Sequence, residues 1–346
     1  MLLSLCIAMP LAPSHPPLYR TIAREALSTA WHHPRLWVLA LFASLLMTGG
    51  MYDVIIRSLS ALGEDAALLL SGSQSSLGYG LISWATQPFQ EIGTMVGFLG
   101  TLDRFQGILL SIILLGIVGA SSIIAQGALV YGLGIRIRGE VPSLSACLAV
   151  GTRFFWKTAF LNAITLGLLW FFRTLVLVPF GTALEATTAW TIAGSISAYL
   201  LYILAIIVLT STHMLGLTSL VLQKYSVHES FLRGLAQTRA HWLLILELGA
   251  GFFLLGAALY FGLALAYVVA GVPLLVLTLS AALLDSGVAA TLLNVVFFGG
   301  ALLMFLAFGA FATTVQYSAW NQLALRVAQG TAVAKVHRWF PFLHRR

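Results

Sequence analysis

Four polar residues that lie within or beside long apolar segments could carry chemistry: Glu247, Arg173, Asp53 and Asn162. An ionisable side chain inside a membrane span is costly, and such residues often form ion pairs, bind ligands or relay protons. Glu247 lies near the start of one apolar run and could pair with Arg239, Lys157 or His241. Arg173 lies deep in another run and could pair with Asp53, Glu185 or Asp285. We expect structural ion pairs here, and a ligand or proton site is the alternative.

A second set of polar residues in apolar runs is uncharged: Gln126, Asn162, His213 and Asn294. Side chains of these types hydrogen-bond across helices inside membranes. We therefore expect them to join neighbouring helices, with a role as substrate ligands as the alternative.

Known motifs for catalysis and metal binding are missing from the sequence. It contains no H-E-x-x-H, G-x-S-x-G or G-x-x-x-x-G-K-[ST] segment. His32 and His33 are adjacent, so on a helix they point about 100° apart and do not make the i, i+4 pair that a metal prefers. Cys6 and Cys147 are the only cysteines and are too far apart for a C-x-x-C motif. We expect no enzyme, no cofactor and no metal site.

The clearest local signal for a helix in the sequence lies at Ser226. Ser226 and Glu229 have the S-x-x-E spacing of a capping box, which predicts a helix starting there. Arg233 falls on the polar face of this amphipathic helix, and Arg239 precedes an apolar run that opens at Trp242. The pattern predicts a short helix in the headgroup layer that leads directly into a membrane span.

The composition of the whole chain agrees with a membrane protein. Hydrophobic residues make up 60% of the 346 positions and charged residues only 8%, whereas about 25% of residues are charged in an ordinary globular domain. Apolar runs long enough to cross about 30 Å of hydrocarbon as a helix recur along the sequence. The spans are therefore predicted to be α-helices.

Six spans give a consistent topology, at residues 36–56, 105–133, 158–180, 191–222, 243–270 and 288–317. Gly271 and Pro273 are expected to end the fifth span, and the segments 77–102 and 274–284 are interpreted as re-entrant or interfacial. This arrangement puts most of the 18 lysine and arginine residues on one side, which the positive-inside rule makes cytoplasmic. Both termini are then cytoplasmic, in a bacterial inner membrane.

The predicted fold is an all-α integral membrane protein with six transmembrane helices, arranged as three parallel helical hairpins that each follow a cytoplasmic amphipathic interfacial helix. The three units are residues 18–134, with an outer insert at 57–104, then 135–224 and 225–317. A Pro-rich leader at 1–17 precedes them and a basic tail at 318–346 follows, with a surface helix expected at 323–339. Cleavage of the leader as a signal peptide and a true start at Met9 are two alternatives.

Three tryptophans suggest that these units are internal repeats. Trp37, Trp156 and Trp242 each stand at or near the start of a predicted span, two or three residues after an arginine. A repeat would explain the shared spacing. The alternative is that every cytoplasmic entry to a span collects aromatic and basic residues, because both suit the interface.

The basic residues at these entries are Arg35, Arg153, Lys157, Arg233 and Arg239, and we expect them to contact anionic lipid headgroups. In a soluble protein a net charge of +7 would suggest binding to nucleic acid. Here most of the basic residues are predicted to lie on one side of the membrane, which argues against that partner. The sequence favours a non-enzymatic membrane protein that binds lipid or a partner protein, a homo-oligomer included. A transporter or channel for a small solute or lipid is the alternative.

The segments SLSACLAVGTRFFWK and SVHESFLRGLAQTRAHW resemble the membrane domain attached to some bacterial glycerophosphodiester phosphodiesterases and related multi-span bacterial proteins. In that family a polar turn precedes a short helix rich in small residues and an aromatic-basic step into the next span. The resemblance covers about residues 120 to 320 and implies a membrane domain. It implies no phosphodiesterase activity, because the family's catalytic barrel has no counterpart in this sequence.

Overall fold

A computed structural model describes residues 18–45, 104–185, 189–283 and 287–329, and every regular element within these ranges is a helix. In chain order the helices are α1 (Leu18–His32), α2 (Arg35–Ala43), α3 (Arg104–Ile137), α4 (Leu144–Arg153), α5 (Phe155–Glu185), α6 (Ala189–Leu222), α7 (Val227–Ala240), α8 (Trp242–Leu283) and α9 (Gly287–Ala328). Three segments, Ile112–Ile137, Phe155–Phe172 and Ile196–Leu222, are long and apolar enough to cross a membrane. The described part of the chain is thus all-helical, with three helices that could span a membrane.

The short helix α7 begins as its sequence predicts. The hydroxyl of Ser226 accepts a hydrogen bond from the backbone N–H of Glu229 at 3.3 Å, and the Ser226 N–H donates to the Glu229 carboxylate at 3.1 Å. These reciprocal bonds form the predicted capping box. The hydrogen bonds from Ser226 hold the pKa of Glu229 below its ordinary value, because they stabilise the carboxylate. Ser143 caps α4 in the same way, accepting from the N–H of Ala146.

One or two residues separate each of the short helices α1, α4 and α7 from the helix that follows it. The interruptions lie at His33 and Pro34, at Phe154 and at His241. Helix α4 ends at Arg153 and α5 starts at Phe155. The break lets α4 lie against α3 while α5 takes its own direction.

Two predictions about helix ends in the last third of the chain are wrong. Helix α8 continues through Gly271 and Pro273 to Leu283, so residues 274–283 are part of one 42-residue helix. Proline removes only one backbone donor, and in an apolar environment unwinding would leave several more carbonyl and N–H groups unsatisfied. Helix α9 likewise runs unbroken to Ala328, so no separate surface helix begins at residue 323.

Several predicted features lie outside the described residues. They are Asp53, the leader at 1–17, the second half of the first span, the insert up to residue 103 with its segment 77–102, and the tail beyond residue 329.

The helices pack in a pattern that repeats three times. The long helices α3, α6 and α9 all contact one another and form the centre. Each short helix lies against one of them, α4 on α3, α7 on α6 and α1 on α9. The remaining helices pack at the outside: α2 contacts α3 and α9, α5 contacts α6 and α3, and α8 contacts α9 and α6. Since α1 packs on α9, the arrangement closes into a ring.

Small residues allow two of the short helices to approach the centre closely. A methyl group on Gly234 of α7 would collide with the carbonyl oxygen of Thr212 and would lie 2.9 Å from the backbone nitrogen of Gly216, both on α6. A methyl group on Gly151 of α4 would meet the backbone and side chain of Ala128 at 3.1 Å. Backbones touch at both crossings, as small residues permit in membrane bundles.

The ring closes between the first and the last described helices. Arg326 of α9 forms a salt bridge with Glu25 of α1, at 3.1 Å between the guanidinium and the carboxylate. On α1 itself, three buried residues at four-residue spacing form a stripe: Ile22, Ala26 and Ala30. The N-terminal helix is therefore packed in the core and is not a loose appendage.

Candidate functional site

The described residues contain two groups of polar side chains that could be functional. One is a buried network at the centre of the bundle, and the other is a set of exposed basic residues where short helices meet long ones. Of the polar positions predicted from sequence, Gln126, Asn162 and His213 join the buried network, and the side chains of Arg173 and Asn294 lie outside the described part of the structure. Glu247 lies half-buried near the start of α8, and Arg173 lies further along α5 than Asn162.

Gln126 of α3 is the hub of the buried network. Its side-chain amide donates to the hydroxyl of Tyr317 on α9 at 2.9 Å and lies 3.3 Å from Nε2 of His213 on α6. Its oxygen accepts from the amide of Asn162 on α5 at 2.7 Å. All four residues are at most 3% exposed. One glutamine thus links four long helices, as the sequence predicts for Gln126, Asn162 and His213.

The partners of His213 assign its tautomer. Thr165 Oγ donates to the backbone oxygen of Leu161 at 2.9 Å and lies 3.0 Å from Nδ1 of His213. Because the hydroxyl proton is used in that bond, Thr165 accepts a hydrogen bond from Nδ1–H. Nε2 of His213 then accepts from Gln126, so the imidazole is neutral with its proton on Nδ1.

A second polar layer lies about one helical turn away. The Thr218 hydroxyl of α6 is 2.7 Å from the side-chain oxygen of Asn321 on α9. The Asn321 amide in turn donates to the backbone oxygen of Val130 on α3 at 3.1 Å. The three central helices are therefore joined twice by hydrogen bonds, at Gln126 and at Asn321.

Thr165, Thr218, Tyr317 and Asn321 were not predicted from the sequence. A signal existed: Tyr317 and Asn321 are four residues apart on one apolar helix, and Asn162 and Thr165 are three apart on another. Polar residues one turn apart in an apolar run mark a face that packs against other helices.

The contribution of the hydrogen bond between Thr165 and His213 to stability can be measured by comparing Thr165 with a matched threonine, Thr174. Thr165→Val should lower the free energy of unfolding by about 1 to 3 kcal/mol, because Nδ1–H of His213 loses its acceptor. Thr174 on the same helix makes the same kind of bond to a backbone oxygen, from its hydroxyl to Trp170 at 2.9 Å, but at an exposed site. Thr174→Val should change stability by about 0.5 kcal/mol or less. Unfolding in mixed micelles measures both, and equal losses would contradict the network.

The exposed basic residues surround the junctions of short and long helices. Arg153 and Lys157 are exposed on either side of Trp156, which is 71% exposed. Arg233 and Arg239 are exposed on α7, just before Trp242, which is 61% exposed. Arg35 is exposed at the start of α2. All five predicted headgroup contacts thus face outward.

Aromatic rings support two of these basic side chains. The Arg233 guanidinium lies 3.7 Å from the centre of the Tyr225 ring, and Lys157 Nζ lies 5.6 Å from that of Phe154. A cation over a ring face keeps its outward hydrogen-bond donors available.

The three predicted interface anchors differ in exposure. Unlike Trp156 and Trp242, Trp37 is half-buried, donates to the backbone oxygen of Ala30 at 2.8 Å and packs edge-on against Phe311 at 5.7 Å. The exposed tryptophan in this part of the chain is Trp31, at 70%.

Comparisons with models of known protein families, with characterised proteins and with solved structures return no match to this chain. The resemblance to the membrane domain of the phosphodiesterases stays a prediction.

Proposed function

We propose that this chain is a non-enzymatic protein of a bacterial inner membrane that binds anionic lipid headgroups through its short helices and serves as a scaffold for a membrane-protein partner or a second copy. In this proposal six spans form three helical hairpins, each entered through a short amphipathic helix, and both termini are cytoplasmic. The threefold packing of short helices on α3, α6 and α9 supports that topology.

One observation carries the proposal: exposed tryptophan and exposed basic side chains occur together where short helices meet long ones. Trp156 lies between Arg153 and Lys157, and Trp242 follows Arg239. Indole rings prefer the headgroup level, and a lysine or arginine near an anionic surface gains about 1 kcal/mol. Both residue types therefore support a position of these junctions in the headgroup layer.

These basic side chains are also available for an external anion. Arg35, Arg153, Lys157, Arg233 and Arg239 form no salt bridge with an acidic residue in the part of the chain that the structure describes. By contrast, the buried network around Gln126 satisfies its donors internally, which suits a rigid scaffold.

Removing two of these charges should weaken lipid retention. We expect the Arg233→Gln, Arg239→Gln variant to retain anionic lipid about thirtyfold less well than the wild type, since each of the two charges contributes about 1 kcal/mol. The measurement is native mass spectrometry of protein released from nanodiscs that contain phosphatidylglycerol and phosphatidylcholine.

The matched control is Arg233→Lys, Arg239→Lys, which keeps both charges and should retain lipid as the wild type does. Unchanged retention in the glutamine variant would remove α7 from the lipid-binding surface. A retained polypeptide of defined mass would identify the partner.

A solute pathway is the second candidate function. The observation in its favour is that Thr158, Thr210 and Gln322 each have a buried side-chain oxygen without a hydrogen-bond partner. Such oxygens could line water between the helices. This candidate would be favoured over the scaffold if the protein carries solute across liposome membranes and shows no preference for anionic lipid.

A further inference from the structure

The corner between α1 and α2 packs against the cytoplasmic end of α3 and brings two basic groups together. Leu36, just after the corner, anchors it: a methyl group on Gly132 of α3 would lie 3.2 Å from Leu36 Cδ2. One turn further along α3 is Arg136, and on the corner itself is His33. Arg136 is close enough for its charge to act on the His33 imidazole. We name His33 and Arg136 the corner site.

Neither group of the corner site has a partner of opposite charge. Nε2 of His33 is buried and has no hydrogen-bond partner. Arg136 is half-buried and makes no salt bridge with an acid among the residues described. Burial, and then the charge of Arg136, lower the pKa of His33 below its ordinary value of 6.5. The imidazole is therefore held neutral beside a permanent cation.

This arrangement is costly unless something outside the chain completes it. A buried nitrogen without a partner costs about 1 to 3 kcal/mol, and native proteins leave few such groups. The neighbouring imidazole His32 is not that partner: its Nδ1 donates to the backbone oxygen of Ser28 at 2.8 Å, and Nε2 of His33 has no hydrogen-bond partner. An acceptor with negative charge would satisfy both His33 and Arg136 at once.

We infer that the corner site binds a phosphate group, with the Arg136 guanidinium donating to two phosphate oxygens and Nε2–H of His33 donating to one. A guanidinium matches phosphate in this forked geometry. The phosphate belongs to a phospholipid headgroup or to free phosphate. If the phosphate belongs to a phospholipid, the inference rests on the proposed function. It then adds one defined headgroup site to the exposed basic residues described above. Trp31, exposed on α1 close to the corner, suits the same membrane level.

The test is a titration of protein with ¹⁵N-labelled histidine rings in phosphatidylcholine nanodiscs, followed by NMR. One arm adds inorganic phosphate, and the other raises the fraction of phosphatidylglycerol in the disc. The His33 signal is identified by its loss in His33→Leu. We expect it to shift on titration, and Arg136→Gln to weaken the apparent affinity about tenfold, as the loss of a charge-assisted bond implies.

The matched control is Arg138→Gln, which removes an exposed arginine two residues further along the chain. It should leave the His33 titration unchanged. Equal weakening in Arg136→Gln and Arg138→Gln, or no shift of the His33 signal in either arm, would overturn the inference.

The two arms separate the sources of the phosphate. A shift with phosphatidylglycerol alone identifies a headgroup site, and an equal shift with inorganic phosphate identifies a free-anion site. The proposed function can fail separately. If α7 does not retain lipid, the His33 signal can still shift when inorganic phosphate is added.

Discussion

Gly234→Ala is expected to lower the free energy of unfolding by about 3 kcal/mol, at the upper end of the usual cost of overpacking. The added methyl would collide with the backbone oxygen of Thr212 and press on the nitrogen of Gly216. Both are main-chain atoms of a buried helix, so no side chain can rotate away. To make room, α7 must move off α6, and the capping box at Ser226 moves with it. Unfolding by SDS titration in mixed micelles gives the loss.

Gly167→Ala on α5 is the matched control. It makes the same substitution within a helix, but a methyl group there meets nothing within 4 Å. Since alanine favours helix over glycine, we expect a gain of about 0.5 to 1 kcal/mol. A loss at Gly234 smaller than about 1 kcal/mol would mean that α7 is not held against α6 as described.

The second large effect is expected at the hub of the buried network. Gln126→Leu keeps approximately the volume of the side chain but leaves Asn162, His213 and Tyr317 each without one partner. Hydrogen bonds between membrane helices contribute about 0.6 to 1.7 kcal/mol each, so three losses should cost about 2 to 5 kcal/mol. The same micelle titration measures this change.

Two further variants test whether that cost comes from the network. Gln223→Leu makes the same replacement at an exposed position at the end of α6 and should change stability by about 0.5 kcal/mol or less. Tyr317→Phe removes one hydroxyl. In a double-mutant cycle with Gln126→Leu, we expect a coupling of at least about 0.5 kcal/mol. Additive effects would show that the two residues do not share a bond.

The sequence predicted the local structure where a single short signal determines it. The Ser226 and Glu229 pair placed the start of α7 correctly, because a capping box depends on residues three apart. Predicted spans 105–133, 158–180 and 191–222 lie within α3, α5 and α6. Hydrophobic runs define such helices without any tertiary information.

The errors occurred where neighbours outweigh a local signal. Pro273 is a helix breaker in water, yet α8 continues through it. The internal repeat aligned on Trp37, Trp156 and Trp242 stays a prediction, although Trp37 packs inward whereas the other two are exposed. The residues that the short helices share are small and buried, such as Gly151 and Gly234. Small residues are common in apolar sequences, so only packing distinguishes those that touch a backbone.

The candidate sites were predictable to different degrees. Exposure of the entry basic residues follows from helix amphipathicity, and their predicted positions agree with it. The partners in the buried network do not follow in the same way. Gln126 and Tyr317 are 191 residues apart, and no periodicity within one helix indicates which distant helix it faces.

The contact of Glu25 with Arg326 joins residues 301 positions apart, and this has a consequence for biosynthesis. At about 5 to 20 residues per second, the ribosome reaches Arg326 about 15 to 60 seconds after it has added Glu25. During that time α1 has left the ribosome but its partner α9 does not exist. The buried stripe on α1 must then stay at the membrane surface or with a chaperone until α9 has been made, and only then can the ring close.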